Sequence, residues 1–99
     1  MADLTIIYWR DIPAQVIAKQ GRRSAKRELP PRFAEAIDMA AMRSGARDDE
    51  SYLEEWRRGD PAPCGDDLDG AVEAAVTRLE SEYDRERLAR LVSAGGREA

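Results

Sequence analysis

The chain has 99 residues, one cysteine and no histidine; 36% of it is charged, and the formal net charge is −4. That length admits one domain with a modest core, burying about 60 to 65 per cent of the extended-chain surface. A single cysteine excludes an internal disulfide, and the absence of histidine removes the commonest general base and metal ligand near neutral pH.

The charge is divided unevenly. Residues 1–32 carry +4 and residues 33–99 carry −8, so a basic end and an acidic end are expected. The start Met1-Ala2-Asp3-Leu4 lacks the basic and apolar regions of a signal peptide. No apolar run approaches the roughly 18 to 20 residues needed to cross a bilayer. A cytoplasmic protein without membrane association is expected.

From Leu4 to Trp9 both alternating faces are apolar, the pattern of a central strand. Pro13 has no amide proton and restricts Ile12, so Arg10 to Pro13 reads as a turn and Ala14 to Lys19 as a returning strand. Gln20-Gly21-Arg22-Arg23 is a second turn, with Gly21 suited to positive φ. Ala25 to Leu29 is left open as a third, edge strand: Lys26 and Arg27 would guard an edge, but Ala25-Lys26-Arg27-Glu28 is a weak β-former.

Pro30-Pro31 opens a helix near 31–44 with the stripe Phe33, Ala36, Ile37, Ala40, Ala41 and a cap at Gly45. Met39 and Met42 flank the stripe and read as gap-filling core. Asp48-Asp49 caps a second helix near 49–58 carrying Tyr52, Leu53 and Trp56 on one side. Asp60 to Gly65 reads as a loop, because two prolines and a glycine forbid a helix or an interior strand. The third helix, near 67–83, repeats Leu68, Ala71, Val72, Ala75, Val76, Leu79 and Tyr83. Leu88, Leu91 and Val92 fall out of step with it, which predicts a kink or restart near Asp84. Residues 95–99 read as a flexible tail after a domain spanning 1–94. The class is α+β: a small antiparallel N-terminal β-meander of two or three strands packed against three α-helices.

The run Ile7-Tyr8-Trp9-Arg10-Asp11-Ile12-Pro13-Ala14-Gln15-Val16-Ile17-Ala18, the basic stretch through Leu29-Pro30 to Phe33, and Tyr52-Leu53-Glu54-Glu55-Trp56 resemble a small bacterial "virulence factor" family. The same family is also found as the terminal domain of conserved virulence factor C. The resemblance implies no assigned activity, catalytic residue or cofactor. It suggests an accessory role beside corrinoid or folate methyl-transfer proteins.

Candidate sites are few. Cys64 has neither a CxxC partner nor an imidazole to activate it, and reads as a passive loop cysteine. Asp48, Asp49, Glu50 and Asp66, Asp67, Asp69 lack the spacing of a calcium loop and are accounted for as helix caps. Lys19, Arg22, Arg23, Lys26, Arg27 and Arg32 form a basic cluster, readable as a solvated hairpin, a protein-binding site, or a nucleic-acid or phosphorylated-ligand site. Trp9 and Trp56 are either core or exposed, and an exposed Trp9 beside Arg10 and Asp11 would have the composition of a binding hot spot. The expected function is a non-catalytic interaction or accessory protein, with no cofactor or metal. It would present Trp9, Arg10, Asp11, Arg22, Arg23, Lys26 and Arg27 to a protein partner. The alternative is a nucleic-acid or phosphorylated-ligand binding module using the same hairpin.

Overall fold

The N-terminal meander has three strands in the computed structural model, which describes residues 2–45 and 49–97. Strand β1 (Ala2–Trp9) pairs antiparallel with β2 (Ile12–Gln20), and β2 pairs antiparallel with β3 (Arg23–Glu28). The open question of the third strand is thus settled by pairing: Ile17 faces Lys26 and Ala18 faces Ala25, so β2 supplies the hydrogen bonds that weak local propensity does not.

Both hairpins close through two-residue turns. Gly21 takes φ 60° in the second, as its lack of a Cβ allows. The first is shorter than the sequence suggests, because Trp9 already pairs with Ile12 and only Arg10-Asp11 remain between strands. Pro13 therefore lies inside β2. It is tolerated because the register slips there: Ile7 faces Gln15 while Tyr8 faces Pro13, leaving Ala14 as the extra residue of a bulge. The Ala14 carbonyl instead accepts from the Leu29 amide at 3.0 Å.

Helix α1 (Pro31–Ser44) buries its expected stripe, and its cap Gly45 is left-handed at φ 81°. Met39 and Met42 correct the core assignment: they are 52% and 58% exposed, on the flank beside Val92. The second helix is also shorter than expected. Helix α2 (Asp49–Glu54) ends before Trp56, which opens strand β4 (Trp56–Arg58). Asp48, its expected cap, lies outside the described residues. The segment read as a loop contains β5 (Ala62–Cys64), and both β4 and β5 run antiparallel to β1. Together they form one interrupted edge, where prolines are acceptable because an amide facing outward needs no ladder partner. The order is β3-β2-β1-β4, with β5 beside the other end of β1.

Helix α3 (Leu68–Glu82) starts at Asp67, whose carboxylate accepts from the Gly70 amide at 3.1 Å. The restart expected near Asp84 is α4 (Arg85–Ser93), capped by Asp84 accepting from the Arg87 amide at 2.8 Å. One core joins the inner sheet face to the helices. Trp9, Ile12, Val16 and Ala18 meet Phe33, Ile37 and Ala40 of α1, Val72 and Leu79 of α3, and Leu91 of α4. Gly95 and Gly96, read as the start of a loose tail, are buried against the β1–β2 turn.

Candidate interaction surface

The Trp9-Arg10-Asp11 turn is a latch rather than a display. Trp9 has no exposed surface, and its indole N–H donates to the Tyr52 carbonyl at 2.9 Å. A fully buried ring cannot supply apolar contact to a partner, which corrects that part of the surface expected from sequence. Arg10 adopts φ 54°, an uncommon conformation for a residue with a Cβ. Its neighbours hold it there. The Arg10 amide donates to the Glu55 carbonyl at 3.0 Å, and its Nη1 donates to the Gly95 carbonyl at 2.7 Å. Nη2 reaches Glu55 Oε1 at 3.4 Å, and the guanidinium lies 4.9 Å from the centre of the Trp9 ring. The Asp11 amide donates to the Gly96 carbonyl at 2.8 Å, while its carboxylate accepts from Arg57 Nη2 at 3.3 Å. Arg57 also donates from Nε to the Arg10 carbonyl at 2.9 Å and lies over Tyr8.

The basic hairpin is exposed, but the pleat splits it. Arg27 lies on the helix side of β3 and pairs with Glu73 of α3 at 3.3 Å. Both side chains are largely solvated, so that pair contributes at most about 1 kcal/mol. Arg32 is drawn off altogether, donating to the Glu80 carbonyl at 3.2 Å. Arg22 and Arg23 remain at the turn, and Lys26 points to the opposite side of the sheet.

That opposite side carries no helix among the described residues. Thr5 faces Ile17 and Ile7 faces Gln15 on it, and neither Ile7 nor Ile17 joins the core. The residues around the two isoleucines are mainly cationic: Lys26 lies opposite Ile17, Arg58 opposite Ile7, and Lys19 one pleat along from Ile17, while the acids of this face, Asp3 opposite Lys19 and Glu28 opposite Gln15, stand at its ends. Among the described residues none of Lys19, Lys26 and Arg58 makes an ion pair. Ile7, Ile17, Lys26 and Arg58 line a shallow concavity of about 400 Å³. Lys19 belongs to the basic cluster read from sequence as a possible binding site, whereas Arg58 was not among the residues expected to meet a partner. The signal for Arg58 was available only as pairing register: the open face becomes visible once Ile7 is known to sit between β2 and β4.

A narrower cleft of about 270 Å³ opens beside this face, and Gln15 and Trp56 line both. Tyr52 and Trp56 form its aromatic corner, with ring centres 5.9 Å apart and planes at 81°. Burial, with a smaller push from the Asp38 carboxylate, raises the Tyr52 phenol above its ordinary value of 10.0. Cys64 is partly buried on the β5 edge, and the described residues hold no group of three acids or thiols arranged for a metal. No helix among the described residues is long and apolar enough to cross a membrane.

A family model described as "Virulence factor" matches residues 7–92. The chain belongs to the virulence factor family. No curated protein and no solved structure matches it. The virulence factor match begins at Ile7, shortly before the latch, and takes in Glu55, between α2 and β4, and Arg57 of β4, which grip the turn. Trp9, Arg10, Asp11 and Glu55 thus belong both to the sequence resemblance and to the latch, whereas Gly95 and Gly96, which complete it, lie past the matched residues.

Proposed function

We propose that this virulence factor domain is a non-catalytic binding protein whose open sheet face receives an acidic surface of a protein partner. The observation that carries this reading is the helix-free face of the sheet, where Ile7 and Ile17 lie among Lys19, Lys26 and Arg58. Aliphatic contact at the centre and cations at the rim fit the anatomy of protein interfaces, in which rim charges set encounter rate and register. Arg22 and Arg23 extend the same positive field from the hairpin tip. Trp9, Arg10 and Asp11 contribute indirectly, by fixing the hairpin against the body of the fold.

Exposed positions make the test clean. In a pull-down from extract of the source organism, a stoichiometric partner with an acidic surface should be retained by the native chain. The Lys26→Glu, Arg58→Glu double variant should lose it while keeping the native circular dichroism. Corrinoid and folate methyl-transfer proteins, suggested by the family resemblance, are the first purified partners to assay. Retention of the same partner by the double variant would defeat the proposal. Steeply salt-dependent capture of a mixed oligonucleotide instead would assign the face to nucleic acid.

A further inference from the structure

We infer that the cleft beside the open face is a binding site for a primary ammonium group on a short aliphatic stem, as carried by a lysine side chain or a small alkylamine. Four separate elements build it: α1 supplies Asp38, the end of β3 supplies Glu28, α2 supplies Tyr52, and the start of β4 supplies Trp56. Asp38 and Glu28 are the only charged residues in its wall, and neither makes an ion pair among the described residues. Glu28 stands where the cleft meets the open face, opposite Gln15 and two residues along from Lys26. The two carboxylates attract a cation, and the Tyr52 and Trp56 rings, with planes at 81°, line the same wall, where a ring face turned to an ammonium adds cation–π attraction. Asp38 already acts electrostatically on Tyr52, which places the carboxylate's field at the aromatic wall.

The size of the cleft limits the ligand. About 270 Å³ lies just below the usual range for drug-sized sites, and is enough for one flexible side chain or a small amine. Ala34, Ile37 and Leu29 provide the apolar wall against which a methylene stem would lie. Gln15 offers an amide at the border with the open face, so a partner lying across that face could insert a single lysine here.

The test is a titration followed by backbone and indole amide resonances. The probes are Nα-acetyl-lysine N-methylamide, n-butylamine and, as the neutral comparison, Nα-acetyl-norleucine N-methylamide. Saturable shifts centred on Glu28, Asp38, Tyr52 and the Trp56 indole are expected with the two amines, and the tighter amine identifies the natural source. The Glu28→Gln, Asp38→Asn variant changes two exposed side chains, and should weaken binding about tenfold without altering thermal unfolding. The Lys26→Glu, Arg58→Glu variant should bind the amines undiminished, which separates this site from the proposed function of the sheet face. Shifts that never saturate, equal shifts from the norleucine amide, or full affinity in the Glu28→Gln, Asp38→Asn variant would overturn the assignment.

Discussion

A Cβ added at Gly96 would lie 2.9 Å from Cζ3 of Trp9, and the glycine itself has φ 93°. Both the missing side chain and the left-handed backbone are therefore required where the chain passes over the indole. Gly96→Ala should destabilise the fold by about 1–3 kcal/mol, read as a lower urea midpoint at unchanged slope. Gly65 is the internal comparison. It has an ordinary φ and open space around it, so Gly65→Ala should stay within about 0.5 kcal/mol of the native chain. Trp9 explains why this scale was hard to read from sequence. Its identity is compatible with a hot spot or a core, and only the Tyr52 carbonyl, the Gly95-Gly96 backbone and the Arg10 side chain around it decide for the core.

At the level of elements, the restart at Asp84 makes α4 a separable helix with its own cap. Its Leu88 and Leu91 are buried against the core, while its N-terminus depends on one carboxylate accepting from the Arg87 amide. Asp84→Ala should cost about 1 kcal/mol and raise amide exchange in the first turn of α4 before the rest of the helix. The long periodic segments were legible: the stripe of α1, the stripe of α3 and the phase break at Tyr83 all follow from residue spacing. The strands β4 and β5 were not. Trp56-Arg57-Arg58 continues the apolar spacing of Tyr52, and nothing local marks where helix gives way to strand. What makes it a strand is the free edge of β1, where Tyr8 pairs with Arg57 and Trp9 with Trp56. Pro61 and Pro63 likewise argue correctly against an interior strand while permitting an edge one. The bulge at Ala14 has the same character, since Pro13 announces an interruption but only the register gives its position.

Across the whole molecule, the sequence division between a basic first third and an acidic remainder becomes a spatial division that is only partly preserved. Arg27 is paired with Glu73 and Arg32 is bound to α3, while Arg58 arrives from the acidic part of the chain to join Lys19 and Lys26. The candidate face is therefore assembled from four strands, and a linear count of charge could locate the hairpin but not the face. The same assembly leaves an anionic cleft at its border, so neighbouring patches of opposite sign would fix the orientation of anything that lies across both.

The latch joins points far apart along the chain: Arg10 and Gly95 are separated by 85 positions. Closing so large a ring costs little extra stability, since each doubling of length adds only about 0.6 kcal/mol, but it defers the contact until the intervening elements are in place. The two N-terminal hairpins are local and can form early; the seal between the Asp11 amide and the Gly96 carbonyl is a far longer-range contact and is expected to form late. In native-state hydrogen exchange the Asp11 amide should accordingly open at a lower free energy than the β2 amides paired with β1, and Gly96→Ala should lower it further. The late-forming fastener of this fold is thus also an early point of release, leaving the three-stranded meander intact while the C-terminal segment lets go.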